Sequence, residues 1–478
     1  MSLASIRQAA ASLMSHSARL HIAIVGHTNT GKTSLMRTLT RDRVFGEVAD
    51  APGTTRQVQS ALCWLDGQPV LAWYDTPGLE DSIALRDWIE SLPDEGSRLE
   101  GSDRVERFLR DEQAAHRFEQ EHRVLQQVMH SDAVLYVIDV REPVLPKYRD
   151  ELYLLNACAR PVLPLLNFTA SPGAEPQPWV QALARLGLHM HLQFDSVTPP
   201  IDGEALVFQM LGQLLSAHRA LLKQLSEQAY NARLQRRGQA LGQIAELLID
   251  TAALEDFSAP DEASIQRVVA KQQREVRQAE QQCVDTILLM FQFGRDEYLA
   301  ADLAWSDGGW HSDPFSAQAM REAGVHLGKG VAAGALAGAA VDVMSAGLTL
   351  GTGTLIGAAA GAAWQGLERW GTDLLARVKG ARSVRVSDEV VLVLAVRQLQ
   401  LLDALEHRGH AAQGPVRARE QWQPAALSPD QLLKLLSSAR RHNDWSSMRG
   451  SGQDTEARSR VADEIRRLLD DAMQHKVT

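Results

Sequence analysis

The densest chemistry in the chain is the run Gly26-His27-Thr28-Asn29-Thr30-Gly31-Lys32-Thr33, a full match to GxxxxGK[ST]. It follows an apolar strand-like stretch, His21–Val25, and precedes a helical one that begins at Lys32. Phosphate is a polyanion, and glycines let backbone N–H groups and a helix N-terminus wrap it. Gly26, Asn29, Thr30, Gly31, Lys32, Thr33 and Ser34 are therefore candidate phosphate-binding residues. In such a loop Lys32 reaches the β- and γ-phosphates, and the Thr33 hydroxyl is a ligand for Mg2+.

A second group, Asp75-Thr76-Pro77-Gly78, follows the strand-like run Val70–Tyr74. A carboxylate at a strand end can hold Mg2+ through water, and the Gly78 N–H can sense a γ-phosphate and let go after hydrolysis. Between the two lies Ala51-Pro52-Gly53-Thr54-Thr55-Arg56 in a polar stretch. One of its threonines is placed to close on the same metal.

HTNTGKT, PGTTR and DTPG in this order resemble the TrmE/Era branch of bacterial P-loop GTPases over about residues 20–215. The resemblance implies GTP and GDP as ligands and Mg2+ as cofactor. It implies Thr55 as the metal-binding threonine, beside Thr33 and Asp75, and Asn29 as a holder of K+. Leu79 stands where many GTPases carry a catalytic glutamine, so the group that orients the attacking water is unknown: K+, the insertion below or a partner in trans. The resemblance also implies a homodimer through the GTPase domain.

The match breaks at the base. The family reads guanine with NKxD, and this chain has Asn167-Phe168-Thr169-Ala170. Asn167 fits. The lysine is replaced by Phe168, and the aspartate that accepts two hydrogen bonds from guanine by Ala170. Ser196 falls where the family's last base-contacting motif lies.

Strand-like runs at His21–Val25, Val70–Tyr74, Ala133–Val140, Pro161–Leu166 and His189–Phe194 alternate with helical stretches. Alternation of this kind predicts a mostly parallel sheet with helices on both faces, an α/β P-loop fold. The connection after Gly78 is too long for a bare loop, and Val105–Met129 within it is helical in character, so a helical insertion is expected over about 79–130.

Beyond about residue 217 the texture turns α-helical, with long amphipathic runs at His218–Ala253 and Asp261–Phe293. The expected organisation is an N-terminal extension over 1–19 and a GTPase domain over 20–216. A long-helix region follows over 217–323, a Gly/Ala-rich helical hairpin over 324–371 and a helical region over 372–478. This remainder is similar to a bacterial group in which such a G domain precedes a helical domain of unknown function. Near the end, Gln431–Arg441 and Thr455–His475 read as helices joined by a mobile linker, Asn443–Gln453.

In the Gly/Ala-rich segment glycines recur four apart, as at Gly330/Gly334/Gly338 and Gly353/Gly357/Gly361. This glycine-zipper spacing gives a flat face for close helix contact. Val343–Trp364 has no formal charge and is long enough to span a bilayer. Trp364, Trp370 and a trailing Arg369, Arg377, Lys379, Arg382 and Arg385 suit an anionic lipid surface. A buried soluble hairpin and a membrane contact through 324–371 are both open at this level.

The net charge of −10 argues against non-specific nucleic-acid binding. Cys63, Cys158 and Cys283 show no metal-ligand spacing and read as reduced thiols. The N-terminus lacks a long apolar core, so the cytoplasm is expected, with a peripheral place on the inner face of its membrane if 324–371 binds lipid. His189 and His191 alternate on a strand without a third ligand. Arg233, Arg236 and Arg237, and His407 and His410, read as solvated.

Overall fold

The computed structural model describes residues 19–42, 45, 58–93, 100–293, 305–306, 309–310, 314–315, 341–345, 381–412, 427–450 and 455–474. The chain divides into two compact units, Met1–Arg233 with His407–Gln413, and Leu234–Glu406 with Gly414–Thr478.

The first unit contains β1 (Leu20–Val25), α1 (Lys32–Thr40), β2 (Gln59–Leu65), β3 (Gln68–Asp75), α2 (Ser82–Ser91), α3 (Gly101–Arg110), α4 (Glu112–Arg117), α5 (Glu119–Met129), β4 (Ala133–Asp139), α6 (Pro146–Ala157), β5 (Val162–Asn167), α7 (Pro176–Arg185), β6 (Leu192–Gln193) and α8 (Gly203–Leu214). Its sheet runs β2-β3-β1-β4-β5-β6. β2 and β3 form an antiparallel hairpin, and all other pairs are parallel.

β1, β4 and β5 are near-continuous apolar runs because both sheet faces are covered. Alternate residues of β1 serve different cores. Ile22 and Ile24 pack with Leu35, Leu135 and Phe208, while Ala23 and Val25 pack with Leu79, Leu85, Tyr136 and Leu166. The chain leaves β1 toward β3 on one side and returns to β4 on the other, so the strand order reverses at β1. Ligands of open parallel sheets bind in the crevice at such a reversal, outside the carboxyl ends of the strands.

The expected helical insertion forms as α2 through α5. The break between α3 and α4 carries a cap: Asp111 accepts the N–H groups of Gln113 and Ala114 at the head of α4.

The helix α9 (Arg219–Ala253) carries the chain from the first unit into the second. The second unit continues with β7 (Glu255–Ser258), α10 (Glu262–Met290), the two-residue strands β8 (Trp305–Ser306) and β9 (Gly309–Trp310), β10 (Val341–Ser345), β11 (Arg382–Val386), α11 (Asp388–Glu406), α12 (Pro429–Leu436) and α13 (Glu456–Gln474). Asp261 caps α10 by accepting from the Ser264 N–H at 2.8 Å. α11 is buried around nearly its whole circumference, from Val390 to Leu405, and forms the centre of one apolar core with α9 and α10. Its Arg397 pairs with Glu280 at 3.4 Å, both nearly inaccessible.

Three expectations change here. Of the Gly/Ala-rich segment 324–371, only Val341–Ser345 is described, and it is a strand rather than part of a helical hairpin: it pairs antiparallel with β11, which pairs with β7. The rest of the segment lies outside the described residues. The stretch Asn443–Gly450, expected as mobile linker, folds into short 3-10 turns with Trp445 buried and the Ser447 N–H bonded to Asp250 at 3.0 Å. The arginines of α9 are not solvated: Arg233 pairs with Asp202 at 2.7 Å and Arg237 with Asp470 at 3.1 Å. No helix among the described residues is long and apolar enough to cross a membrane.

Candidate functional site

At the end of β1 the backbone turns sharply, and glycine is required by space. A Cβ at Gly26 would lie 2.4 Å from the carbonyl oxygen of Val137, and one at Gly78 would lie 2.3 Å from Thr28 Oγ1. Asn29 and Gly31 both adopt left-handed backbone, with φ 65° and 88°, a region open to glycine and tolerated by asparagine. Asn29 projects, exposed, from the loop. Thr30 turns inward and donates to the His27 carbonyl at 2.9 Å, and Ser34 sits half-buried on the first turn of α1.

Lys32 curls back over this loop. Its Nζ donates to the carbonyls of Gly26 and His27 at 3.1 and 2.8 Å. Burial lowers its pKa, and Asp75, Glu151 and Glu80 oppose that shift. Thr33 Oγ1 donates to Asp75 Oδ2 at 2.6 Å. Asp75 is fully buried at the end of β3, and burial pushes its carboxyl up to about 6 against the pull of Thr33 and Lys32. Its Oδ1 has no hydrogen-bond partner among the described residues. A hydroxyl and a carboxylate with one unspent oxygen are the hard donor set that suits Mg2+.

Gly78 packs on the loop at Thr28, and the Leu79 N–H donates to the Gly26 carbonyl at 3.3 Å. The Leu79 side chain points away into the core beneath α2 and is wholly inaccessible. The next two residues are held by the insertion. Glu121 of α5 accepts the Glu80 and Asp81 N–H groups at 3.1 and 3.0 Å. Ser82 Oγ donates to the Lys147 carbonyl at 2.9 Å, tying α2 to α6. His27, read only as a variable loop position, is also braced from α6: Nδ1 lies 2.8 Å from Glu151 and Nε2 2.9 Å from Lys147 Nζ, while Tyr136 donates to Glu151 at 2.7 Å. Thr55 lies outside the described residues.

The second cluster gathers around β5. Asn167 is buried and bonds to protein through both ends of its amide. Nδ2 donates to the Thr30 carbonyl at 2.9 Å, and Oδ1 accepts the N–H groups of Phe168 and Ser196 at 2.9 and 2.8 Å. Asn167 thus laces the phosphate loop to both loops beside it. Ser196 is buried as well, and its carbonyl accepts from Thr38 at 2.9 Å. Phe168, at φ 60°, lays its ring against Gly31, where an added Cβ would approach it to 2.9 Å. Arg141 stacks on that ring with its guanidinium carbon 3.9 Å from the centroid. It is fixed there by Asp139 through bonds of 2.9 and 2.6 Å.

Two contributors had no signal as single residues. Asp195 bridges the two loops, accepting the N–H groups of Ala170, Val197 and Thr198. The described residues His407–Ala412, which follow α11 in the chain, belong to the first unit and meet the same loop through Gly409. The Gly409 N–H donates to the Val197 carbonyl at 2.8 Å, and a Cβ at Gly409 would lie 2.0 Å from the Ser196 carbonyl oxygen. His410, expected to be solvated, is buried there. His189 and His191 precede β6 rather than lying on a strand, and no group of three or more His, Cys, Asp and Glu among the described residues could hold a metal ion.

The sheet order, the glycine loop on β1 and the Thr33–Asp75 pair define the first unit as a P-loop domain of the GTPase type. Residues 21–168 match the family model described as 50S ribosome-binding GTPase. Residues 180–467 match the model described as Domain of unknown function (DUF3482), and the chain belongs to that family. GTPase Der of Xylella fastidiosa (strain 9a5c) is 30% identical over 148 residues, 30% of this chain and 25% of that protein. The tRNA modification GTPase MnmE of Orientia tsutsugamushi is 46% identical over 61 residues, 13% of each chain. The chain thus spans about a quarter of the length of the Der relatives it matches. Among solved structures, a point variant of Aquifex aeolicus Era bound to GDP and aluminium fluoride aligns with TM-score 0.28 at 16% identity, covering 56% of this chain and 89% of that one.

Proposed function

We propose that this chain is a Mg2+-dependent switch that binds and hydrolyses GTP, with its nucleotide state relayed to the helical second unit. The observation that carries this reading is the Thr33–Asp75 pair at 2.6 Å with Asp75 Oδ1 unspent, beside Lys32. In this reading Gly26, Asn29, Thr30, Gly31 and Ser34 surround the phosphates, and Lys32 leaves its loop carbonyls to bind the β- and γ-oxygens. Thr33 and Asp75 hold Mg2+, with Thr55 closing on it. Bound Mg2+ supplies positive charge against the β- and γ-phosphate oxygens.

Gly78 is the γ-phosphate sensor in this reading. Its movement pulls directly on Glu80 and Asp81, whose N–H groups are gripped by Glu121 of the insertion. Asn167 and Ser196 act by holding the base-side loops to the phosphate loop.

Leu79 takes no part in hydrolysis, because its side chain is inside the core. Water must then be oriented by a K+ held at the exposed Asn29, by the insertion or by a second copy meeting the GTPase domain. The test is turnover of GTP with Mg2+ in potassium and then in sodium, across protein concentration. The reading expects slow, Mg2+-dependent hydrolysis, faster in potassium and rising with concentration. No turnover in either salt rejects hydrolysis, and indifference to the cation removes the role of Asn29.

A further inference from the structure

We propose that the site selects its nucleotide by phosphates and stacking and discriminates little between guanine and adenine; the inference rests on the nucleotide-binding reading above. Guanine presents two donors side by side, N1–H and N2–H, next to the O6 acceptor. Adenine presents an acceptor, N1, beside its N6–H donor. A site built to prefer guanine must place a free acceptor pair, in practice a carboxylate, against the two donors. A buried polar group aimed at one partner and left unpaired by another is what produces large discrimination.

The described residues supply no free carboxylate here; the unpartnered buried atom of these loops is Ser196 Oγ, a single hydroxyl that can donate or accept and so does not select the paired donors of guanine. Ala170 offers a methyl group, and its N–H is already taken by Asp195 at 3.0 Å. Asp195 is the carboxylate of this loop pair, but three backbone N–H groups occupy it: Val197 and Thr198 on Oδ1 and Ala170 on Oδ2. The residue is only 3% exposed. Moving it to read a base would break three backbone hydrogen bonds that hold the two loops to each other. Asn167 is spent at both ends of its amide. Asp139, beside the same loops, is closed by the bidentate grip of Arg141.

The loops offer a flat surface instead. The Phe168 ring lies against Gly31, and the Arg141 guanidinium lies over the ring. Hydrogen bonding to Asp139 raises the Arg141 pKa further, so the cation is permanent. Bases stack on aromatic rings and on guanidinium planes alike, and every base has a π-face. Such a platform accepts both purines.

The test is equilibrium binding of fluorescent GTP, ATP and XTP with Mg2+ to the full chain and to three variants. For the native chain we expect GTP and ATP dissociation constants within about tenfold, a gap below 1.4 kcal/mol. Ala170→Asp, which adds a carboxylate at an exposed position, should tighten GTP by tenfold or more and leave ATP unchanged. Phe168→Ala should weaken all three nucleotides by similar factors. Native binding of GTP a hundredfold tighter than ATP would overturn the inference. Asp195→Asn trading GTP for XTP would also overturn it, since that exchange requires Asp195 to face the base. Failure of every nucleotide to bind would reject the nucleotide reading itself, a result distinct from either of these.

Discussion

The two ends of the nucleotide site are built on different terms. At the phosphate end, groups with unspent or exchangeable bonding converge. Asp75 Oδ1 has no partner among the described residues, and Lys32 rests on carbonyls it can leave. At the base end Asn167 and Asp195 are committed to protein, and Ser196 Oγ is the buried side-chain atom without a partner among the described residues. A site with free polar groups binds a ligand through them, whereas one with spent groups holds a shape. The phosphate end should therefore carry affinity and Mg2+ dependence, and the base end should carry rigidity.

The largest effect should come from Lys32→Ala. Charge-assisted hydrogen bonds are worth about 1.5–3 kcal/mol each, so losing contacts to two phosphates should weaken GTP by about a hundredfold or more. Isothermal titration checks this, and a loss below tenfold would break the contrast at its strong end.

Asp75 should make the metal-free protein sensitive to pH. Its carboxyl is pushed up to about 6, so the folded state holds this proton more tightly than the unfolded chain does. Stability should then be highest below pH 4 as regards this group, fall between about 4 and 6, and stay lower above 6, by up to about 3 kcal/mol. Mg2+ binding needs the ionised form and should strengthen as pH rises through 6. Melting curves of the native chain and Asp75→Asn across this range should diverge by that difference. Parallel curves would show that Asp75 is not strained by burial.

Gly409→Val probes the base end. Its side chain would collide with the Ser196 carbonyl, where even a Cβ comes to 2.0 Å. We expect GTP and ATP to weaken together by about tenfold, read by the same titration, with the Mg2+ requirement unchanged. A loss confined to one base would show that this loop discriminates.

The smallest effect on function should come from Leu79→Gln. Restoring the common glutamine should not speed hydrolysis, because position 79 faces the core. It should instead lower stability by about 1–3 kcal/mol by burying an amide without partners. Faster turnover measured by phosphate release would place the side chain at the phosphates.

The phosphate end was legible in the sequence because its chemistry sits in contiguous motifs. Gly26–Thr33 and Asp75–Gly78 each occupy one strand-to-loop junction, and the sheet brings the junctions together. Four of the six strands, β1, β3, β4 and β5, were legible for the same reason, as apolar runs separated by loops, whereas of the expected strand His189–Phe194 only Leu192–Gln193 forms one. The base end was legible mainly as a departure, Phe168 and Ala170. Its actual braces come from distant positions with no local pattern: Arg141, Asp195 and Gly409. The second unit hid its small sheet because β7 and β11 are short and carry charges, as in Arg382-Ser383-Val384-Arg385-Val386. It hid the turns around Trp445 because a linker rich in Ser and Gly gives no periodicity.

The most direct test of the contrast is a titration of the full chain with guanosine, GMP, GDP and GTP in Mg2+. The phosphate end should dominate: GDP and GTP should bind, and GMP and guanosine should be weaker by a hundredfold or more. Guanosine or GMP binding within tenfold of GDP would show that the base end carries the affinity, and would contradict the account.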